Sequence, residues 1–445
     1  MHKNSHNSLV SLHRLALLAC LLGLAAAGGP VSAQPARTAL SQTVTAVVQA
    51  LESNYVFPDV AARAGQELRR QLKRGAYDTL GGEALALRLT RDLQRISGDL
   101  HLGISYHPEV LPAETAPDGP PSEADIAWMK QLLAENGYGI PDRRMLPGGV
   151  GYLNITLFGP LSLCADSMAA AVQSVAEAKA LIIDLRACRG SIDPHAIPFL
   201  SGYFFADPVH LNDFYDRLSG QTTQTWSYAW VPGKRMTDIP VWILTSGRTF
   251  SGGEEFAYDF QQLKRATLVG EQTGGGANPG RSFRLGDHYS AFIPTGRAIN
   301  PLTGTNWEGV GVQPDSAVRS DLALYRAQRM ALRHLRQREQ DLQQQAVLDA
   351  AIKALEAGAP RLRQHTFTLA GMPHAKSVYV AGSFNFWASE AIPLRKTPAG
   401  WSAQVELLPG SHTYRFMVDG AWMTDPANPV TKEEGGHRNS VLELP

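Results

Sequence analysis

The sequence predicts a multidomain protein in which an α/β part with a parallel sheet precedes an all-β C-terminal part. Two short apolar segments, residues 151–158 and 181–185, are separated by an alanine-rich helical segment, which is typical of parallel strands buried on both faces. Three further segments after residue 363 are predicted to be strands (SVYVAGSFNFW, WSAQVELLPG and HTYRFMVDGAW), and Asp419-Gly420 within the last of them is a hairpin signal. A compact β-sandwich of residues 363–445 is therefore expected.

Length and charge set the outer bounds on function. The chain has 445 residues, which allows two or three domains, and 44% of its residues are hydrophobic, as in an ordinary globular protein. Basic and acidic residues number 41 each, so no surplus of positive charge is available for binding nucleic acid. We expect no nucleic-acid partner.

The N-terminus has the pattern of an export signal. A basic start precedes an apolar run at residues 15–27 and a small-residue site that ends at Ala33, so residues 1–33 are expected to be cleaved. Lipidation at Cys20 is a second interpretation, although the apolar run before that cysteine is short. Later segments lack the roughly 18 apolar residues needed for a membrane span. The mature protein is expected in the periplasm or outside the cell.

Signal cleavage leaves Cys164 and Cys188, each a few residues after a predicted strand. If those strands are parallel neighbours, the two thiols lie close enough for a disulfide, and two buried free thiols are the alternative.

Other segments complete the domain plan. Apolar residues at helical spacing predict a helical region over residues 34–97. Residues 108–147 are rich in proline, hold one short helix that Ser122 would cap, and are typical of a lid or a plain surface loop. One long helix is expected over residues 322–355 as a solvated connector, which Gly358 and Pro360 end.

Ser251 is the candidate nucleophile. It stands where a strand, a tight turn and a helix follow one another within residues 241–262, and a glycine-rich loop comes next. Unpaired N–H groups at a helix start stabilise the negative charge that develops in acyl transfer. Ser251-Gly-Gly-Glu254 also fits a capping box, in which serine only closes the helix end.

A serine nucleophile needs a base, and five histidines of the middle region are candidates. His101, in a Gly-Asp-Leu-His-Leu-Gly segment, has the best context, and His195, just after the strand end at Gly190, is its rival; the others are His107, His210 and His288. Taken alone, each histidine is more often an ordinary core or surface residue.

Together these motifs resemble the tail-specific, or C-terminal-processing, serine peptidase family. The similarity covers about residues 40–315 and includes Ser251-Gly-Gly-Glu-Glu, the glycine-rich loop at 270–280, and Asn306-Trp-Glu308-Gly. It is greatest to the branch of interphotoreceptor retinoid-binding protein and the tricorn protease core. The resemblance implies a ClpP/crotonase-like α/β core in residues 98–320, with 321–362 as a helical linker.

The resemblance also implies the site. The family uses either lysine or histidine as the base, and Gly275, Gly276 and Ala277 stand where the lysine would lie, while Lys264 is too far along the helix to reach Ser251. His101 then becomes the general base, Glu308 the acid that orients it, and the N–H groups of Gly252 and Gly190 the oxyanion donors. This chain departs from the family at two positions: Arg189 replaces one glycine of a pair, and Leu100 replaces a serine beside the histidine.

Residues 364–444 resemble the glycogen-binding domain of AMP-activated kinase β subunits and related starch-binding modules, an immunoglobulin-like sandwich of the early-set type. Trp387 and Trp422 match the aromatic platforms for sugar rings, Arg415 a basic position and Asn439 a polar one. The alternative is that both tryptophans complete a small core and the module is structural or docks a protein.

The expected function is therefore an exported serine-type endopeptidase that cleaves peptide or protein substrates through an acyl-enzyme, with an α-glucan-binding appendage. The alternative is a non-catalytic ligand- or peptide-binding protein on the same fold. No metal or cofactor is expected, because no zinc or phosphate-loop motif is present.

Overall fold

The computed structural model describes residues 33–112, 123–434 and 436–445. Residues 1–32 of the predicted export signal, among them Cys20, lie outside the described residues, and so does Ser122, the predicted helix cap. Among the residues described, no helix is both long and apolar enough to cross a lipid bilayer.

The N-terminal part is helical, as predicted. Its elements are α1 (Ala33–Asn54), α2 (Pro58–Lys73), α3 (Gly82–Ser97) and the short strand β1 (Gly103–Tyr106). Helix α2 begins at a proline, which suits the first helical turn, and α3 ends at Gly98 in the left-handed conformation. Apolar faces of these helices, including Val44, Leu51 and Leu89, pack together against β1 and a later strand.

The central part contains most of the strands. Its helices are α4 (Glu123–Glu135), α5 (Leu161–Gln173), α6 (Ala196–Ser201) and α7 (Gly252–Gln262). Its strands are β2 (Asp142–Leu146), β3 (Val150–Asn154), β4 (Ala180–Asp184), β5 (His210–Asp216), β6 (Gln221–Trp226), β7 (Val241–Thr245), β8 (Ala266–Gly270), β9 (Gly280–Arg284), β10 (Tyr289–Pro294), β11 (Gly296–Ile299) and β12 (Ser316–Ala317).

A six-stranded sheet forms the middle of this part. Its order is β12-β8-β7-β4-β3-β2, and every neighbouring pair is parallel except β2 with β3. The same part contains two smaller sheets of three strands each, with the orders β1-β10-β9 and β11-β5-β6. The parallel strands predicted at residues 151–158 and 181–185 are confirmed as β3 and β4, with β3 ending earlier than expected.

Both faces of the six-stranded sheet are covered, because alternate residues of each strand point to opposite faces. Leu181 and Ile183 of β4 pack on one side with α5 and α7, and Ile182 between them packs on the other side. This second side is covered by α8 (Ala323–Arg338) and α9 (Leu342–Ala357).

The single helix predicted over residues 322–355 is wrong in two respects. The chain breaks at residues 339–341, and Asp341 caps α9 by accepting the Gln344 N–H at 2.8 Å. Ion pairs of Arg333 with Glu356 and Arg336 with Asp349 then join the helices as an antiparallel hairpin. Ala323, Ala327 and Ala331 of α8 are buried against the sheet. The segment therefore covers one face of the sheet and is not a solvated connector.

The C-terminal strands form two antiparallel sheets around one apolar core. Their bounds are β13 (Arg363–Ala370), β14 (Val378–Gly382), β15 (Arg395–Thr397), β16 (Gly400–Leu407), β17 (Gly410–Val418), β18 (Ala421–Met423), β19 (Thr431–Glu434) and β20 (His437–Leu444). One sheet has the order β13-β16-β15 and the other β14-β17-β20-β19, with β18 paired to β17. Phe367, Trp401 and Phe416 are buried between them.

Cys164 and Cys188 are both free and buried, so the disulfide interpretation is wrong. Cys164 lies inside α5, whereas Cys188 lies in the loop after β4. Burial raises the pKa of Cys164 to about 11 and of Cys188 to about 12, as expected for unreactive thiols in a core.

Candidate active site

Ser251 stands at the junction between the turn after β7 and the first residue of α7. Its backbone has φ 53° and ψ −122°, a region that residues other than glycine rarely adopt. The Ser251 N–H donates to Oε2 of Glu254 at 2.8 Å, which is one half of the capping box predicted from the sequence; the Glu254 N–H donates to the Ser251 carbonyl, also at 2.8 Å, and not to the serine hydroxyl. The serine backbone is therefore held in an uncommon conformation by a side chain one turn further along the helix.

Glu254 also fixes the glycine-rich loop. It is fully buried and accepts hydrogen bonds from Thr273 Oγ1, from the Gly275 N–H at 2.6 Å and from the Gly276 N–H at 2.8 Å. Burial raises the pKa of Glu254 to about 7, and these hydrogen bonds oppose the rise. One carboxyl group thus joins the serine turn to the loop that follows β8.

The two predicted oxyanion donors flank the serine. A Cβ atom on Gly190, whose φ is +127°, would lie 2.9 Å from Ser251 Cβ, and one on Gly252 would lie 2.6 Å from Ser191 Cβ. Only glycine fits this close approach. Among the described residues, neither the Gly190 nor the Gly252 N–H has a hydrogen-bond acceptor. Both groups are therefore free to bind an anionic oxygen.

His101 lies in the turn before β1, and its side chain is only 5% exposed. Its ring centroid is 4.6 Å from that of Phe250, the residue before Ser251. A Cβ atom on Gly276 would lie 2.6 Å from His101 Cε1. The histidine ring therefore lies against the serine turn and the glycine-rich loop, although no hydrogen bond joins His101 to Ser251 within the described ranges.

Burial lowers the pKa of His101, and the nearby Asp99 opposes that shift. The imidazole is consequently neutral at pH 7, which is the form that a general base requires.

Glu308 and Asp99 complete a buried cluster with the histidine. A carboxylate oxygen of Asp99, one of Glu308 and a ring nitrogen of His101 all lie within 4.8 Å of one another. The distance from Asp99 Oδ1 to His101 Nδ1 is 3.9 Å. His101 Nδ1 and Glu308 Oε1 are both buried with no hydrogen-bond partner in the described part of the chain. Burial and the adjacent Asp99 raise the pKa of Glu308 to about 8.

Each carboxylate is held by its own set of donors. Asp99 accepts hydrogen bonds from the Tyr55 hydroxyl at 3.1 Å and the Asn278 side chain at 2.9 Å, and Glu308 Oε2 accepts the N–H groups of Ala277 and Asn278. Helix α1 precedes Tyr55, so the helical N-terminal part contributes directly to the site.

Sequence reasoning missed Asp99, although a signal was present. Its carboxylate accepts the His101 N–H at 2.9 Å, and the same i, i+2 turn recurs where Asp184 accepts from Arg186 and Asp193 from His195. An aspartate two residues before a histidine or an arginine thus fixes the local turn in three places.

The other four candidate histidines have different surroundings. His195 is exposed. His107 Nε2 lies 2.9 Å from Ser290 Oγ, and His288 Nδ1 lies 3.0 Å from the His107 carbonyl oxygen. His210 bonds Asp213 at 2.8 Å and stacks on Trp226. Of the five, His101 is the one that packs against the neighbour of Ser251.

Asp99, His101 and Glu308 are also the one group in the described residues whose donor atoms are close enough to share a metal ion. Imidazole with two carboxylates is a donor set that zinc accepts. The expectation that no metal is required stays a prediction.

A cavity of about 520 Å³ lies elsewhere, at the beginning of β7 and β8, and its lining includes Trp242 and His334. Ser251 follows the opposite end of β7, where sites of parallel sheets gather.

In the C-terminal module, three of the four predicted sugar-contacting residues lie together. The ring centroids of Trp387 and Trp422 are 6.3 Å apart, and the Arg415 guanidinium lies 5.4 Å from the Trp422 ring centre. Trp422 is 37% exposed, whereas Asn439 is buried in β20. The part that Asn439 plays in sugar binding stays a prediction.

The module also touches the central part near the site. Phe386, the neighbour of Trp387, lies with its ring centre 4.9 Å from the Arg186 guanidinium. Arg186 in turn pairs with Asp184 at 2.6 Å and donates to the Ser320 carbonyl.

Three family models match the chain. Residues 149–318 match the model described as peptidase family S41, and residues 34–135 match the N-terminal domain of peptidase S41 in eukaryotic interphotoreceptor retinoid-binding protein. Residues 367–445 match the glycogen recognition site of AMP-activated protein kinase.

Curated relatives include beta subunits of 5'-AMP-activated protein kinase. The chain is 38% identical over 69 residues to the beta-1 subunit of Sus scrofa, a match that covers 16% of this chain and 55% of that protein. The beta-1 subunit of Bos taurus is 39% identical over 69 residues, with 16% and 25% covered. The chain thus spans about half or less of the length of these relatives.

Similar solved structures include mature CPAF complexed with lactacystin, with a TM-score of 0.44, 12% identity, and 72% of this chain and 100% of that chain covered. The photosystem II D1 C-terminal processing protease has a TM-score of 0.39 and 14% identity, with 66% and 95% covered. These values are too low to assign a function.

Proposed function

We propose that the protein is a serine peptidase of the tail-specific type, which hydrolyses peptide bonds through an acyl-enzyme; the match of residues 149–318 to the model of peptidase family S41 supports this proposal. The observation that supports this most directly is the geometry at Ser251. Its side chain lies beside Gly190, and the free N–H groups of Gly190 and Gly252 flank it.

In this mechanism Ser251 Oγ attacks the scissile carbonyl while His101 takes its proton. The tetrahedral oxyanion is bound by the N–H groups of Gly190 and Gly252. His101 then returns the proton to the leaving amine, and water repeats the sequence on the acyl-enzyme.

Glu308 and Asp99 support the histidine. When ionised, Glu308 has an unpaired oxygen, Oε1, available to accept the His101 Nδ1–H, which leaves Nε2 free to act as the base. Asp99 adds negative charge 3.9 Å from the same nitrogen and stabilises the imidazolium that forms.

The proposal includes finer assignments of fold and location. The six-stranded sheet with its covering helices is of the ClpP/crotonase-like type, and the C-terminal module is an immunoglobulin-like sandwich. The signal-like residues 1–33 support export to the periplasm or the medium. Cell fractionation that recovers the full-length chain in the cytoplasm would refute export.

Labelling with a fluorophosphonate probe tests the nucleophile. We expect wild type to react and Ser251→Ala not to react, with Ser219→Ala, at an exposed turn, as the matched control. If wild type does not react, or Ser251→Ala reacts equally well, the protein is the non-catalytic ligand- or peptide-binding alternative.

The choice of base is tested by substituting His101 and its former rival His195 in parallel. We expect His101→Ala to lose turnover by about 10²–10⁴-fold. Retained turnover in His101→Ala together with loss in His195→Ala would reverse the assignment.

A second function, binding of α-glucan, is supported by Trp387, Trp422 and Arg415 lying together. Indole faces pack on sugar rings while a basic group bonds hydroxyls. Affinity electrophoresis through glycogen tests it: we expect wild type to be retarded relative to the Trp387→Ala/Trp422→Ala double variant. Equal mobility would favour a structural module.

A further inference from the structure

Two arginines stand on the loops that form the proposed oxyanion site. Arg189 directly precedes Gly190, and Arg248 lies three residues before Ser251. The two loops run side by side, since the Phe250 N–H donates to the Cys188 carbonyl at 3.0 Å. The bases of both arginine side chains are therefore fixed close to the reacting serine.

Neither of these arginines has an acidic partner within residues 33–112, 123–434 and 436–445. No salt bridge of Arg189 or Arg248 occurs among the described residues, and Arg248 Nε is buried without a hydrogen bond. Arg186, on the same loop as Arg189, behaves differently, because it is paired with Asp184 at 2.6 Å. Arg265 also places its guanidinium on three backbone carbonyls.

The unpaired arrangement is electrostatically unfavourable. Burial and the positive charge of Arg189 together lower the pKa of Arg248 to about 10. Arg189 is exposed and Arg248 half-buried, so both side chains are accessible to a solute from the solvent. An anion placed between the two side chains would offset both the repulsion and the lost hydration.

We propose that Arg189 and Arg248 form a subsite for a carboxylate group of the peptide substrate, next to the scissile bond. Arginine forks bind carboxylates through paired, charge-assisted hydrogen bonds, which makes the carboxylate the best match in a peptide. The group is either an acidic side chain or the C-terminal carboxylate. This inference rests on the proposed function for its role in catalysis, but the binding it describes does not require turnover.

The same geometry also fits a rival role. The two positive charges, being close to Gly190, would also stabilise the oxyanion of any substrate. That role favours neutral and acidic peptides equally, whereas a carboxylate subsite favours acidic peptides. The ratio between matched peptides therefore separates the two.

The test is affinity selection from peptide libraries on the Ser251→Ala protein, which retains peptides without cleaving them. One library has free C-terminal carboxylates and the other amidated C-termini, and bound peptides are identified by mass spectrometry. The same selection is made in the Ser251→Ala background with Arg189→Gln, with Arg248→Gln, with both, and with Arg63→Gln. Arg63 is exposed on α2 and serves as the charge-matched control.

We expect Ser251→Ala to enrich peptides that carry a carboxylate. Loss of both arginines should weaken binding of an acidic peptide relative to its neutral analogue (Asp replaced by Asn, or acid by amide) by about ten- to a hundredfold. Enrichment that survives in the amidated library identifies an acidic side chain, and enrichment that disappears there identifies the C-terminus. Circular dichroism and thermal unfolding show whether each variant is folded.

Two results overturn the inference. One is an equal change for acidic and neutral peptides in folded variants, and the other is absence of any carboxylate preference in Ser251→Ala. Failure of the peptidase function is a separate outcome, because it is read from fluorophosphonate labelling of wild type and not from peptide binding.

Discussion

Replacement of Glu308 by glutamine links stability to catalysis at one residue. In the Glu308→Gln variant the amide side chain keeps an oxygen for the N–H groups of Ala277 and Asn278 but no longer ionises. In wild type the pKa of Glu308 rises from the usual 4.5 to about 8, which corresponds to at most about 5 kcal/mol against the charged form in the folded state.

The sign follows from proton binding. The folded protein holds this proton up to about pH 8, whereas the unfolded chain releases it above about 4.5. The contribution to stability is therefore fully present below about pH 4.5 and is lost as the pH rises through about 8. Between pH 6 and pH 9 this loss accrues over about two pH units, from pH 6 to about pH 8. The free energy of unfolding should therefore fall by roughly 3 kcal/mol more in wild type than in Glu308→Gln.

Urea unfolding at pH 6 and pH 9 measures the difference, and Glu177→Gln, whose side chain is 86% exposed, is the matched control. In the same variants, kcat/KM of wild type should rise to a plateau above about pH 8, because the ionised carboxylate accepts from His101. Glu308→Gln should lack this rise and turn over about 10²–10⁴-fold more slowly. A stability difference that does not change between the two pH values, or an unaltered pH profile, would refute the role of Glu308.

Three further changes test the geometry around the serine. Glu254→Gln places an amide group against N–H donors, including those of Ser251 and Gly275, that face a carboxyl group in wild type. The free energy of unfolding in urea should fall by about 2–4 kcal/mol, and an unchanged urea midpoint would contradict these hydrogen bonds. Gly190→Ala brings a methyl group to 2.9 Å from Ser251 Cβ, so fluorophosphonate labelling should slow by about 10²-fold or more, and labelling at the wild-type rate would disprove the close approach. Gly276→Ala directs a methyl group at His101 Cε1, at 2.6 Å, and should lower kcat by about tenfold or more in a folded protein; full kcat would mean that the ring is placed elsewhere.

The strands and the serine turn were predictable because their signals are local. The apolar runs of β3, β4 and β7 are fully or almost fully buried, and Ser251 and Glu254, which form one half of the capping box, lie within four positions of one another. Such patterns reflect burial and backbone hydrogen bonding, which a short segment of sequence determines.

The wrong predictions, a single helix over residues 322–355 and a disulfide, concern features that tertiary contacts determine. The break between α8 and α9 follows no proline or glycine, and it is stabilised by the Asp341 cap and by burial of both helices on the sheet. The free thiols of Cys164 and Cys188 depend on the packing of α5, which a strand-end argument does not include.

The site itself joins residues that are far apart in the chain. His101 and Ser251 are separated by 150 positions, and Glu308 lies further on, so no local pattern connects them. Ser251 was a candidate from its local pattern, whereas the resemblance to a family selected His101 among the five histidines and supplied Glu308. It did not supply Asp99, whose contribution is visible only in the contacts with Tyr55 and Asn278.

The glycine-rich loop explains why histidine rather than lysine stands in this site. A Cβ atom on Gly276 would lie 2.3 Å from Phe250 Cζ and 2.6 Å from His101 Cε1, so any side chain there, lysine included, would overlap the histidine and its neighbour. The N–H groups of Gly275 and Gly276 are bound to Glu254, and that of Ala277 to Glu308. The loop therefore holds the carboxylates while the space that a lysine side chain would occupy is filled by His101. Absence of the lysine and presence of the buried histidine are two aspects of one packing arrangement.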